Sequence, residues 1–126
     1  MQQYVVAVVD DDPGMRESLE MLIVAFGLYT EVYASGEAFL NRAAASEAAC
    51  LLVDIGLEDM TGIELGRRLA KGGFAFPIIF MTGSDDARLR SEAEDFGFIA
   101  YLRKPFPAAQ LMEAIAKVIG REFLTG

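Results

Sequence analysis

The 126 residues carry a net charge of −8, from 19 acidic against 11 basic side chains, and 53% of them are apolar. That apolar share, spread over Val, Ile, Leu and Phe, argues against disorder and suffices for one core, so a single domain over 1–126 is expected. The acidic balance opposes direct nucleic-acid binding, which needs Lys and Arg against phosphates; no apolar run reaches a membrane span, and no secretory signal is visible.

The first apolar run, "YVVAVV" at 4–9, reads as a strand and leads straight into Asp10, Asp11 and Asp12. Two unit charges about 4 Å apart repel by roughly 4 kcal/mol at an effective dielectric near 20, so such a cluster asks for something positive. Asp12, ahead of Pro13, suits a helix cap better than a ligand. Met15, Leu19, Leu22, Ile23 and Phe26 then repeat at helical spacing, and Gly27 stops the helix. "LYTEVY" (28–33) reads as a half-exposed strand, and Ser35 begins a short helix with Phe39 and Leu40 on its apolar face.

"CLLVD" (50–54) is a more buried strand. The lone Cys50 at its head cannot form an internal disulfide, fits a reducing cytoplasm and reads as core filling. Ile63, Leu65 and Leu69 mark a third helix ended by Gly72-Gly73, and "FPIIFM" (76–81) a fourth strand. The fourth helix, Asp86 to Phe96, is the most polar; Asp85, Asp86, Glu92, Glu94 and Asp95 read as a solvated face. "FIAYLR" (98–103) is the fifth strand, expected to be more buried than the second, and Leu111, Ile115, Val118 and Ile119 form the buried stripe of the last helix. Met21, Met60, Met81 and Met112 have no metal-site spacing and read as packing.

Strands alternating with helices predict an α/β fold, a parallel sheet covered on both faces. Sites in such sheets lie beyond the carboxyl ends of the strands. Those ends carry Asp10, Asp11 and Asp12, then Asp54, Thr82 and Lys104. Carboxylates, a hydroxyl and an ammonium suit a divalent cation and a phosphoryl group. Mg²⁺ accepts a few carboxylates plus water and phosphate oxygens, and an aspartate can attack phosphorus to become an aspartyl phosphate. Thr82 can donate to one phosphate oxygen, and Lys104 offers a point charge to another.

These stretches, "VVDDDPGMRESL", "LLVDIGLEDMTG", "FMTG" and "YLRKPF", taken in order, resemble the receiver domain of two-component response regulators over essentially the whole chain. The flavour is that of nitrogen-fixation and nodulation-type receivers, which are joined to helix-turn-helix domains. The resemblance implies a flavodoxin-like (βα)5 three-layer sandwich with strand order 2-1-3-4-5, the order the flavodoxin-like folds are known for. It implies a cytoplasmic signalling switch in which Asp54 takes a phosphoryl group from a sensor histidine kinase. Asp10, Asp11 and Asp54 would hold Mg²⁺ with the Gly56 carbonyl. A cis Lys104–Pro105 bond would aim the lysine, Thr82 would move toward the phosphate, and Tyr101 would turn from outward to inward. Helix 4, strand 5 and helix 5 would present the altered surface to an output domain or protein, and could pair two copies. Such a domain catalyses its own phosphotransfer and dephosphorylation yet is chiefly regulatory.

Four positions depart from the pattern. Glu58 stands where proline is common and is expected to free the loop and add charge. Gly56 leaves out a side chain beside the phosphoryl group, so water should reach it more easily. Phe96 and Phe98 flank Gly97 where small residues are common; one is expected in the core and one at the surface. Two rival readings stand beside this one. A haloacid-dehalogenase-like phosphatase would use Asp10 with Asp12, but Gly14 occupies its Thr or Val position. A receiver-like docking module would not be phosphorylated at all.

Overall fold

Each strand of the sheet sends alternate side chains to opposite faces, and the two faces collect separate cores. The computed structural model describes residues 4–120, and the 1–126 extent expected for the domain runs past them at both ends. The strands are β1 (Val5–Val9), β2 (Tyr29–Tyr33), β3 (Ala48–Asp54), β4 (Ile78–Thr82) and β5 (Ala100–Arg103). The helices are α1 (Pro13–Ala25), α2 (Gly36–Leu40), α3 (Gly62–Lys71), α4 (Ala87–Phe96) and α5 (Ala108–Ile119), with a 3-10 turn at Ala43–Ala45. All pairings are parallel, in the order β2-β1-β3-β4-β5, which is the flavodoxin-like arrangement of three layers.

Val6 and Val8 of β1, Leu52 of β3 and Met81 of β4 face α1 and α5, where Leu19, Ile23, Leu111 and Ile115 meet them. Ala7, Val9, Leu51, Val53 and Phe80 face the other way, against Phe39 of α2, Ile63 and Leu65 of α3, and Ala93 of α4. Burial on both faces is why these strands are nearly unbroken apolar runs. Cys50 lies wholly inside the first core, and burial pushes its thiol up to about 12.

Several boundaries move. β3 starts two residues earlier than expected, because Val5 pairs with Ala48 across a register shift that passes over Ala49. β4 starts at Ile78, past Pro77, which has no N–H to donate. β5 lies at the sheet edge and is only partly buried, unlike the buried strand expected from its composition. Met21 is 67% exposed and does not pack, since it falls outside the helical stripe that carries Leu19 and Ile23. Phe96 and Phe98 do not divide between core and surface. Both are half-buried against Phe80, with ring centroids at 6.1 and 6.2 Å.

Candidate functional site

The carboxyl ends of β1, β3, β4 and β5 converge on one mouth, and the local structure aims each side chain differently. Asp10 directly follows β1 and has 0% exposure. One carboxylate oxygen accepts the Asp12 amide at 2.9 Å, and the other accepts Lys104 Nζ at 2.8 Å. Arg16 reaches back to donate to the Asp10 carbonyl at 2.9 Å. Asp12 leaves the cluster: its Oδ1 accepts the amides of Gly14 and Met15 and caps α1 ahead of Pro13. So the three adjacent aspartates have three different environments.

Asp54 ends β3 and is 8% exposed. Its Oδ1 accepts the Gly56 amide at 3.1 Å, and its Oδ2 lies 3.4 Å from Lys104 Nζ. Burial pushes the Asp54 carboxyl up; the Gly56 amide and Lys104 offset only part of that, and the charge of Asp10 adds to it. Burial pulls Lys104 down, but its hydrogen bond to Asp10 and the charge of Asp54 outweigh this and keep the ammonium above the ordinary lysine range. One lysine therefore serves two buried carboxylates.

Asp10, Asp11 and Asp54 each bring an oxygen within 4.8 Å of the others. Three hard oxygen donors, two of them facing the Lys104 ammonium, make a donor set suited to a small divalent cation, which takes water and anionic oxygens as its further ligands. Behind the cluster Gly62 is closely packed. A Cβ there would meet the Asp54 carbonyl at 2.8 Å and Ile55 Cα at 3.0 Å, backbone that cannot step aside. Gly56 itself is exposed at the mouth.

Glu58 does not free its loop. Its amide donates to Asp11 Oδ2 at 2.8 Å, a tie that a proline could not make. Thr82 ends β4, 3% exposed, and its hydroxyl accepts the Ser84 amide at 3.0 Å. The Lys104 amide donates to the Thr82 carbonyl at 2.7 Å, and the Lys104–Pro105 peptide is cis. Tyr101 sits lower on β5, opposite Phe80 and half-buried. Its ring packs on Phe98 at 5.5 Å, and the Arg90 guanidinium lies 4.1 Å above it.

Some partners were not foreseen. Asp85 pairs with Arg103 through both guanidinium nitrogens, Asp86 caps α4, and Glu94 pairs with Arg90, so the acidic face near α4 is not merely solvated. Asp59 accepts the Gly36 and Glu37 amides, and nothing in the local pattern announces a contact over that separation. The cap of α3 was legible: Thr61 stands three residues ahead of Glu64, the spacing of a capping box, and its hydroxyl accepts the Glu64 amide at 3.0 Å.

Comparison with known proteins agrees with this arrangement. The model of the response regulator receiver domain matches residues 6–116. Response regulator protein TmoT of Ectopseudomonas mendocina is 35% identical over 114 residues, covering 90% of this chain and 52% of that protein. The transcriptional regulatory protein FixJ of Azorhizobium caulinodans is 34% identical, covering 92% and 55%. The chain thus spans about half the length of these curated relatives. Among solved structures, FixJ-N superposes with a TM-score of 0.87 at 34% identity, covering 94% of each chain. A CheY-like receiver domain protein from Methanospirillum hungatei JF-1 gives 0.87 at 25% identity, covering 99% and 100%. The sheet order, the acidic mouth and a match over nearly the whole described chain lead to one placement: this chain belongs to the response regulator receiver family.

Proposed function

We propose that the chain is a phosphorylation-dependent switch whose acceptor is Asp54. The observation that carries the reading is the setting of that carboxylate: it ends β3, opens to the mouth, and lies 3.4 Å from Lys104 within a three-aspartate cluster. A cation held by Asp10, Asp11, Asp54 and the Gly56 carbonyl would supply charge neutralisation for phosphoryl oxygens.

In the transfer an Asp54 oxygen attacks phosphorus of a phosphohistidine. The P–N bond breaks, its electron pair goes to the imidazole nitrogen, and the nitrogen takes up a proton. These 126 residues hold no histidine, so the donor lies outside them, which suits a sensor kinase. Lys104 holds charge at the transferring oxygens, and Thr82 is at hand to turn the O–H it donates to the Ser84 carbonyl at 3.4 Å toward the phosphoryl group. Hydrolysis reverses the change: water attacks phosphorus, the acyl P–O bond breaks, and Asp54 and inorganic phosphate result. Exposed Gly56 leaves that approach open.

The readout is assigned to α4, β5 and α5. α4 buries only Ala93, placing it among the less anchored elements from which moving parts are drawn. A cavity of about 530 Å³ opens between Phe98, Tyr101, Ala109 and Lys117, giving an output domain, a partner protein or a second copy a place to bind. Among the described residues no helix is long and apolar enough to cross a membrane, in keeping with a cytoplasmic role. Asp12 is spent on capping α1, which disfavours a phosphatase built on Asp10 and Asp12.

The test is incubation with acetyl phosphate and Mg²⁺ followed by intact mass. One phosphoryl group is gained by the parent and none by Asp54→Asn. An adduct retained in that variant, or none in the parent, would overturn the assignment.

A further inference from the structure

The loop between β3 and α3 is fastened on two sides. Toward the carboxylate cluster, the Glu58 amide holds Asp11 at 2.8 Å and the Gly56 amide holds Asp54 at 3.1 Å. On its other side, Asp59 accepts the Gly36 amide at 3.2 Å and the Glu37 amide at 2.9 Å, one carboxylate oxygen to each. Met60 presses on the same turn, so closely that a Cβ at Gly36 would lie 2.7 Å from its Sδ.

The turn it grips is weak by itself. α2 has five residues, far fewer than a helix needs to persist alone in water. Its first amides need outside acceptors. Ser35 Oγ accepts from Ala38, and the two amides before that belong to Asp59. The loop and the first turn of α2 therefore hold each other in place.

We propose that Asp59 is a positioning residue: its grip on Gly36 and Glu37 sets residues 56–60 against the Asp10–Asp11–Asp54 cluster and couples cation binding there to the order of α2. This rests on the cation reading given above. Asp59 acts through its neighbour Glu58, whose backbone N–H holds Asp11. Coupling of this kind is reciprocal: whatever α2 contributes to cation affinity, the cation returns as protection of α2.

The experiment uses the full chain, MgCl₂ titration by calorimetry, and amide exchange by NMR with and without Mg²⁺. The parent binds Mg²⁺ and shows slower exchange at Gly36 and Glu37 when it is bound. Asp59→Ala binds roughly tenfold more weakly, within the usual range of coupling between sites, and loses the Mg²⁺-dependent slowing. Asp59→Asn, whose side-chain oxygen still accepts an amide, keeps the fold and falls between the two. Affinity within twofold of the parent, with the slowing retained in both variants, would overturn the coupling while leaving the cation site standing. A parent that binds no Mg²⁺ would remove the cation reading, and the coupling with it.

Discussion

Lys104 and Asp10 stand 94 residues apart in the chain and 2.8 Å apart in the fold. Asp10 is fully buried, and a desolvated carboxylate is costly unless a cation faces it. Lys104→Met is therefore expected to lower stability in EDTA by about 2–3 kcal/mol, since it strands a buried charge. Added Mg²⁺ should restore part of the loss. Urea melts of both proteins with and without Mg²⁺ check this, and equal midpoints in EDTA would show that Asp10 is satisfied without the lysine.

Asp54→Asn should act in the opposite sense. Burial and the charge of Asp10 disfavour the ionised Asp54, and an amide of the same shape removes that conflict. In EDTA the variant should be more stable than the parent, because the buried carboxylate that burial and Asp10 disfavour is gone. With Mg²⁺ the order should reverse, because the parent alone gains the full stabilisation of a bound ligand. Thermal melts read both effects; an equal Mg²⁺ shift in the two proteins would remove Asp54 from the cation's ligands.

Position 58 separates backbone from side chain. Glu58→Pro deletes the N–H that donates to Asp11, whereas Glu58→Ala keeps it. Mg²⁺ affinity should fall roughly fivefold in the proline variant, one hydrogen bond's worth, and stay within twofold in the alanine variant. Calorimetric titration decides. Phosphoryl lifetimes of Glu58→Pro and Gly56→Arg, compared with the parent, should both differ if the loop governs access of water; matching decay rates would end that idea.

Arg90 over Tyr101 makes a cation–π contact on the face assigned to output. A double-mutant cycle of Arg90→Ala with Tyr101→Leu should give a coupling of about 0.5–1 kcal/mol, the range for exposed pairs. Urea denaturation of the four proteins supplies it. A coupling near zero would mean that the tyrosine is not held there in solution.

Cys50 supplies a pH test. Its folded-state pKa is pushed up to about 12, while an unfolded thiol ionises near about 8.5. Between those values the folded protein keeps a proton that the unfolded chain has lost, so stability falls as pH rises. Below that window the thiol contributes no pH dependence. Cys50→Ala should flatten the alkaline slope of the unfolding free energy, though it lowers stability at neutral pH by opening a small cavity. In the native parent, a thiol reagent should label Cys50 no faster than the chain unfolds.

β1, β3 and β4 could be read in advance because burial on both faces leaves an unbroken apolar run, and that signal is local. The same holds for the polar residues at the strand ends, which parallel topology must gather at one edge. Asp59 and Arg90 escaped notice because their partners, Gly36 and Tyr101, meet them only through the fold, and an exposed Asp or Arg looks the same with or without a partner. Glu58 misled for another reason: its side chain suggested a looser loop, while its backbone amide makes the contact. Ala48 carries no strand preference and extends β3 because Val5 of β1 is there to pair with it.

The edge position of β5 bears on how the protein is made. Residue 104 follows that strand, so a chain growing from its N-terminus displays Asp10, Asp11 and Asp54 before their ammonium exists. Until Lys104 emerges the acidic mouth lacks that counter-charge, and dissolved cations are the available substitute. Completion of the site waits on β5, whose Lys104 reaches Asp10 across 94 residues of chain, a closure of the slow, long-range kind.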